Sequence, residues 1–292
     1  MRTGAVVLNW KDPARTLRCV VALVASPSVE HVFIVDNESS GELTKALADA
    51  GVLDGGACSV TEVPENRGFA GGVNLGLRDA LEQSFEAVLV INNDAVIAEE
   101  SIALLIATLE CEPNTGLVGP RIVHSDGSEE SAGGYLIPVV GITSHRPLTR
   151  GAPDFITWAC VLVRASALNG VGLLDERYFM YWEDVDFSLR LRAANWNFGI
   201  CADATATHEI STNRKSYPIA IKAYHTWSAV VFAKKHRGVW LAGSLVWLLV
   251  SAGTNVLRRR PGALRGLRLG INLARENSFP AYLSQLRVRD FA

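Results

Sequence analysis

The five cysteines, Cys19, Cys58, Cys111, Cys160 and Cys201, are odd in number, widely spaced and nowhere at metal-finger separation. That pattern excludes a disulfide framework and fits a reducing compartment. No cleavable leader is expected from the first residues either. The apolar stretch ending at Leu8-Asn9 is too short and lacks a small-residue cleavage site, so it reads as a first strand. No glycine occurs in the turn that follows, Asn9-Trp10-Lys11-Asp12-Pro13. Without one the backbone cannot approach a pyrophosphate there, which argues against a nicotinamide cofactor. There is no internal repeat and no low-complexity run.

What is present is a globular composition, 49% hydrophobic and 20% charged over 292 residues. That is enough chain for one large α/β domain or two closely packed halves. Apolar runs at 4–8, 31–35, 58–63 and 86–91 alternate with helical patterns at 13–25, 42–50, 71–83 and 99–111. Asp12 is the expected N-cap of the first helix and Pro13 its first residue. The alternation predicts a mostly parallel sheet with helices on both faces, and ligands at the carboxyl ends of its strands. Residues 116–160 are rich in Gly and Pro, with a loop at Ser125-Asp126-Gly127-Ser128. An apolar strand is expected from Ile156 to Val163. Beyond Tyr217 the pattern is helical to the end, with breaks at Gly238, Pro261 and Pro280.

Polar groups cluster at the expected strand ends. Asp36 follows the second strand, where an acid can bind a nucleoside or simply stand in a surface turn. Asn66-Arg67-Gly68-Phe69-Ala70-Gly71-Gly72-Val73-Asn74 leads into a helix. Its glycines can turn N–H groups toward an anion, with Arg67 in reach of phosphate, or can serve only close helix packing. Asn92-Asn93-Asp94 ends the fourth strand, a position suited to a divalent cation shared with diphosphate, although the same residues are ordinary turn formers. In Phe179-Met180-Tyr181-Trp182-Glu183-Asp184-Val185-Asp186, three acids precede a helix beside aromatic rings. Partial desolvation there can raise a carboxyl enough for a general base. His208 follows the next strand.

Taken in order, these segments resemble glycosyltransferase family 2, and especially its rhamnosyltransferase-like members. The matching pieces are Val6-Val7-Leu8-Asn9-Trp10, Val35-Asp36-Asn37-x-Ser39, Asn66-x-Gly68-Phe69-Ala70-Gly71-Gly72, Asn92-Asn93-Asp94, and Asp175-Glu176 through Glu183-Asp184-Val185-Asp186. They span residues 4–212. The resemblance implies a GT-A fold and an inverting transfer from a nucleotide-diphosphate sugar, dTDP-rhamnose or a UDP-sugar. The acceptor is a hydroxyl of a saccharide, lipid-linked or natural-product molecule. By the same resemblance Asp184 is the catalytic base, with Glu183 the alternative. Asp94 and His208 are ligands to Mg²⁺ or Mn²⁺ or to diphosphate. The candidate substrate-binding residues are Asn9, Asp36, Asn37, Asn66, Arg67, Gly68, Gly71, Asn74, Asn92, Asn93, Trp158 and Trp182. Two departures stand out: Asn92 occupies the first position of the metal motif, and no glycine follows His208. A sugar nucleotidyltransferase and a non-catalytic nucleotide-sugar binder are the rival classes. The first would usually show a glycine- and basic-rich loop after strand one, and Glu183, Asp184 and Asp94 together argue against the second.

The expected organisation is a catalytic domain over 1–215, with a nucleotide-sugar half to 115 and an acceptor half from 116, followed by a helical region over 216–292. From Lys234 onward eleven Lys or Arg face two acids, against a net charge of −2 for the whole chain. Val239–Leu257 carries no charge and has basic residues on both flanks. This predicts an interfacial helix on an anionic membrane, with the catalytic domain cytoplasmic, on the inner face of the membrane. A helix spanning the bilayer, or one packed on the domain or on a homodimer partner, is the alternative. Lipid rather than nucleic acid is the expected anionic partner.

Overall fold

The computed structural model describes residues 1–137, 141–145, 151–209, 218–258 and 261–276. Strands β1 (Thr3–Asn9), β2 (His31–Asp36), β3 (Cys58–Glu62) and β4 (Ala87–Asn92) run parallel in the order β3-β2-β1-β4. They are joined by α1 (Pro13–Val24), α2 (Glu42–Asp49) and α3 (Gly68–Glu82). Asp12 caps α1 by accepting from the Arg15 N–H, with Pro13 inside the first turn, as the residue types predict.

The two faces of this sheet explain its near-continuous apolar runs. Ala5, Val7, Ile34, Leu89 and Ile91 pack into one core, while Val6, Phe33, Val88 and Val90 pack into the other. Helix α3 lies close on the second face because Gly76 meets Val6 directly; a Cβ there would come within 2.7 Å of Val6 Cγ1. Close packing thus accounts for this member of the glycine series. The helix starts at Gly68, three residues earlier than its periodicity suggests.

The chain continues through β5 (Ala95–Ile97), α4 (Glu99–Cys111), β6 (Thr115–Val123), β7 (Glu129–Ser131), β8 (Tyr135–Ile137) and β9 (Ile142–Ser144). Then come β10 (Cys160–Arg164), α5 (Ala165–Val171), α6 (Glu183–Ala193) and β11 (Asn197–His208). The sheet extends as β4-β10-β6-β11-β5, with β7 on β6, so segments from both sides of residue 115 share one sheet. The strand expected over Ile156–Val163 is only Cys160–Arg164. Ile156 and Trp158 are buried without pairing, because an apolar run signals burial and not strand as such.

Helices α7 (Pro218–His236), α8 (Val239–Leu257) and α9 (Pro261–Glu276) follow. The expected boundary at 215/216 and the segment beyond 276, with Arg287 and Arg289, lie outside the described residues. Helix α7 is fastened to the domain by polar contacts: Trp227 Nε1 donates to the Arg177 carbonyl at 3.1 Å and Ser228 Oγ to that of Met180 at 2.9 Å. Lys235 reaches Asp175 and Asp186, each at 2.7 Å, and Lys234 Nζ donates to the Ala274 carbonyl at 2.6 Å. These two lysines were counted above in the cationic flank of α8; both are engaged inside the protein.

Helix α8 has an inverted polarity. Gly243, Ser244 and Ser251 face the protein, whereas Leu245, Leu249, Val250, Val256 and Leu257 face outward, Leu249 at 75% and Leu257 at 83% exposure. Trp240 meets Phe232 edge-on at 5.0 Å, and Trp247 lies 5.5 Å from the His225 ring.

Candidate active site

A cavity of about 570 Å³ opens at the carboxyl ends of β1, β2 and β4. The strand order reverses between β1 and β4, and the connections diverge there to leave a crevice. Its wall includes Trp10 and Lys11 after β1, Asn37 after β2, Asn66 just before α3 and Gly68 at its start, and Asn92, Asn93 and Asp94 from the end of β4.

Behind this wall a chain of hydrogen bonds ties the strand ends together. Asn93 Nδ2 donates to Thr16 Oγ1 (2.9 Å), Thr16 Oγ1 to Asn9 Oδ1 (2.7 Å), and Asn9 Nδ2 to Asp36 Oδ1 (2.8 Å). Asn9 and Asp36 are therefore brought together, but both are fully buried and neither lines the cavity. Asp36 Oδ2 has no hydrogen-bond partner among the described residues. The next residue does reach the wall. Asn37 Nδ2 donates to Asn66 Oδ1 (2.9 Å) and to the Gly68 carbonyl (3.0 Å), and Asn37 Oδ1 accepts from the Arg67 N–H (2.9 Å).

Gly68 sits at φ +71, and a Cβ there would fall 2.2 Å from the Phe179 carbonyl oxygen. Only glycine fits. The N–H of Phe69 donates to that same carbonyl (2.6 Å), so this first-turn donor of α3 serves the protein and not an anion. Arg67 is exposed and, like Gly71 and Asn74, stands outside the cavity wall. Asn74 holds the Leu174–Glu176 segment, donating to the Leu174 carbonyl (2.8 Å) and to Glu176 Oε1 (3.0 Å).

On the far side, Tyr181 and Trp182 both take left-handed conformations, φ +72 and +71. Two such residues in succession are strained, and they set the start of α6 so that Glu183 and Asp184 face the cavity. Glu183 is buried and its Oε2 has no partner among the described residues; the same holds for Trp158 Nε1, also in the wall. Burial, and then the charge of Asp184, hold the Glu183 carboxyl well above its usual range. Burial pushes the half-buried Asp184 up to about 6, against a hydrogen bond from the Val185 N–H at 2.8 Å.

The third acid does not belong to this cluster, which corrects the expectation of three acids acting together. Asp186 turns away to Arg190 (2.9 Å), Lys235 (2.7 Å) and His236 (2.9 Å). Burial alone would raise it, but the hydrogen bonds from His236, Lys235 and Arg190, with the charge of Lys235, outweigh burial and hold it below the usual carboxylate range.

His208 meets Asp94 because β11 pairs antiparallel with β5, which sets His208 opposite Ala95. Its Nε2 lies 3.1 Å from Asp94 Oδ1, and its Nδ1 lies 2.8 Å from Glu130 Oε2. Burial would lower the imidazole, yet the two carboxylates push it up to about 9. Glu130 was not singled out from the sequence. Neither was the part of the wall made by Ala220, Ile221 and Tyr224 of α7, where Tyr224 stacks on Phe179 at 4.5 Å. Nothing in the local sequence marks them: Glu130 sits beside Glu129, and α7 shows only a helical pattern. Among the described residues no three His, Cys, Asp or Glu converge as a metal cage.

The model of glycosyl transferase family 2 matches residues 6–172. An N-acetylglucosaminyl-diphospho-decaprenol L-rhamnosyltransferase of Mycobacterium tuberculosis is 31% identical over 242 residues, covering 70% of this chain and 78% of that enzyme. The low-salt glycan biosynthesis hexosyltransferase Agl10 of Haloferax volcanii is 29% identical, over 67% of this chain and 64% of its own length. Among solved structures, a mannosyltransferase from Pyrobaculum calidifontis in complex with GDP-Man and Mn²⁺ superposes with TM-score 0.62. It shares 14% identity, with 95% of this chain and 88% of that one covered.

Proposed function

The chain belongs to glycosyl transferase family 2, and from that membership we propose an inverting transfer of rhamnose or another hexose from a nucleotide diphosphate to a hydroxyl of a lipid-linked saccharide. The observation that carries this reading is the placement of two kinds of group on one cavity. The raised carboxyls of Glu183 and Asp184 lie on its wall with Asp94 and His208. Asp184 takes the proton of the acceptor hydroxyl as that oxygen attacks the anomeric carbon, opposite the departing diphosphate. The charge of an oxocarbenium-like transition state suits a site lined by carboxylates. Trp10, Asn37, Asn66 and Gly68 form the nucleotide side, with Asn9 and Asp36 bracing it from behind.

The donor set suits a divalent cation. A carboxylate (Asp94) and an imidazole (His208) lie within 3.1 Å of each other, with the Asn92 and Asn93 amides in the same wall. Two protein ligands leave most positions to diphosphate oxygens and water, the usual arrangement for Mg²⁺ and a workable one for Mn²⁺. Such an ion would neutralise charge growing on the diphosphate.

The acceptor class is supported by the mycobacterial relative, whose name specifies a diphospho-decaprenol acceptor, and by α8. This helix is long and apolar enough to cross a membrane, and 17% of its most apolar 18-residue window is buried. Its outward side chains are mostly Leu and Val, with Ala242 and Thr254 among them, and exposed Arg237 and Arg258 flank it. From Arg237 to Arg275 there is no acid. A second copy laid on this face would set like charges together, whereas anionic lipid would balance them. We place α8 on the inner face of the cell membrane, a location that fits the free cysteines.

A donor panel of dTDP-rhamnose, UDP-sugars and GDP-mannose, with polyprenyl-diphosphate saccharides, tests the reading. Release of nucleoside diphosphate with an inverted glycosidic product is expected. Pyrophosphate release would point to nucleotidyl transfer, and binding without any release to a non-catalytic relative. Sedimentation with anionic liposomes at low salt tests the membrane placement; indifference to lipid charge and salt would overturn it.

A further inference from the structure

Glu129 and Glu130 are neighbours in a three-residue strand, yet they do different things. Glu129 points outward and pairs with half-buried Arg121 at 2.9 Å. Glu130 points into the cavity wall and holds His208 Nδ1 at 2.8 Å. The pairing of β7 with β6 shifts register between Ile122 and Val123. Such an irregularity re-aims side chains next to a site.

We propose that Glu130 is a positioning residue that grips the His208 ring by Nδ1 so that Nε2 faces Asp94. The inference rests on the reading of Asp94 and His208 as the cation's ligands. An imidazole has two nitrogens, and a carboxylate that accepts from Nδ1–H fixes both the ring plane and the tautomer, leaving the Nε2 lone pair for a cation. Glu130 is not a third ligand. It takes the far nitrogen, and among the described residues no three acids or histidines are arranged to hold one ion between them. Its role matters more here because Asn92 supplies an amide where the family motif has a carboxylate. With one carboxylate in the set, the aim of the imidazole governs how well the cation is held.

The test is Mn²⁺ binding to the full chain with UDP or dTDP present, read from the electron paramagnetic resonance of free Mn²⁺. Glu130→Ala is expected to weaken Mn²⁺ about 10- to 100-fold. Glu130→Gln keeps an oxygen that accepts from Nδ1–H, so it should lose clearly less. The graded order is the signature of positioning, and the Gln variant carries the test should Ala fail to fold. In the Mg²⁺ form, nitrogen-15 spectra of His208 should change from one tautomer toward a mixture in the Ala variant. Mn²⁺ affinity within about twofold of the parent in Glu130→Ala, while Asp94→Ala and His208→Ala lose it, would overturn the positioning role alone. Unchanged affinity in Asp94→Ala and His208→Ala would overturn the ligand reading, and the positioning role with it.

Discussion

Asp184 and Asp186 stand two positions apart in the first turn of α6, and each is held by a different environment. Asp184 faces the cavity, where burial raises it to about 6. Asp186 is fully buried among Arg190, Lys235 and His236, which hold it low. A helix turns about 100° per residue, so positions i and i+2 project to nearly opposite sides. One short acidic run thereby supplies both a raised carboxyl on the cavity wall and an anchor for α7.

Replacing Asp184 by Asn should abolish transfer while leaving donor binding near that of the parent. Loss of a general base costs about 10²- to 10⁴-fold in rate. Turnover measured beside donor affinity by calorimetry checks this. Near-parental turnover in Asp184→Asn together with loss in Glu183→Gln would move the base to Glu183.

The raised Asp184 also sets two pH dependences. Activity should rise with pH through about 6 as the base ionises, and kcat/KM against pH reads that limb. Stability should move the other way. A group whose folded value lies above its unfolded one contributes stability that is full below about 4 and lost as pH rises through the folded value. Asp184→Asn should therefore melt a few degrees above the parent at pH 8 and match it at pH 4. Equal melting at both would remove the burial penalty from the account.

Asp186→Asn should do the reverse. It leaves Arg190 without its buried counter-charge and Lys235 with Asp175 alone, a loss of up to about 3–5 kcal/mol. Because the folded carboxyl is held low, its contribution is present above about 4 and fades as pH falls through the folded value. Thermal denaturation should show a large deficit at pH 7 that shrinks toward pH 3. A deficit that stays constant with pH would mean that packing, not charge, fastens α7.

Asp94→Ala should weaken donor binding and make the remaining activity insensitive to chelator, whereas the parent should lose activity in excess chelator and recover with Mg²⁺ or Mn²⁺. Full parental activity in chelator would sink the metal role.

Much of the site was legible because its residues sit at strand ends. The short apolar runs locate β1, β2 and β4, and whatever follows them must emerge at one edge of a parallel sheet. That logic places Asn37, Asn92, Asn93 and Asp94 in the wall without a structure. It fails for Asn9 and Asp36, because it cannot tell a side chain that enters the crevice from one spent on a neighbouring strand end. It fails likewise for Asn74, whose amide holds a loop a hundred residues later.

Local patterns therefore determined the parallel half of the sheet, the cap of its first helix and the order of the polar clusters, since backbone propensity and hydrophobic period act over a few residues. Contacts between distant segments were left to the tertiary structure: His208 on Asp94 through the β11–β5 pairing, Glu130 behind it, Asp186 on Lys235, and α7 as a wall of the cavity. Each depends on strand register or helix docking, and those are decided when the whole apolar surface is buried at once, not by any window of sequence.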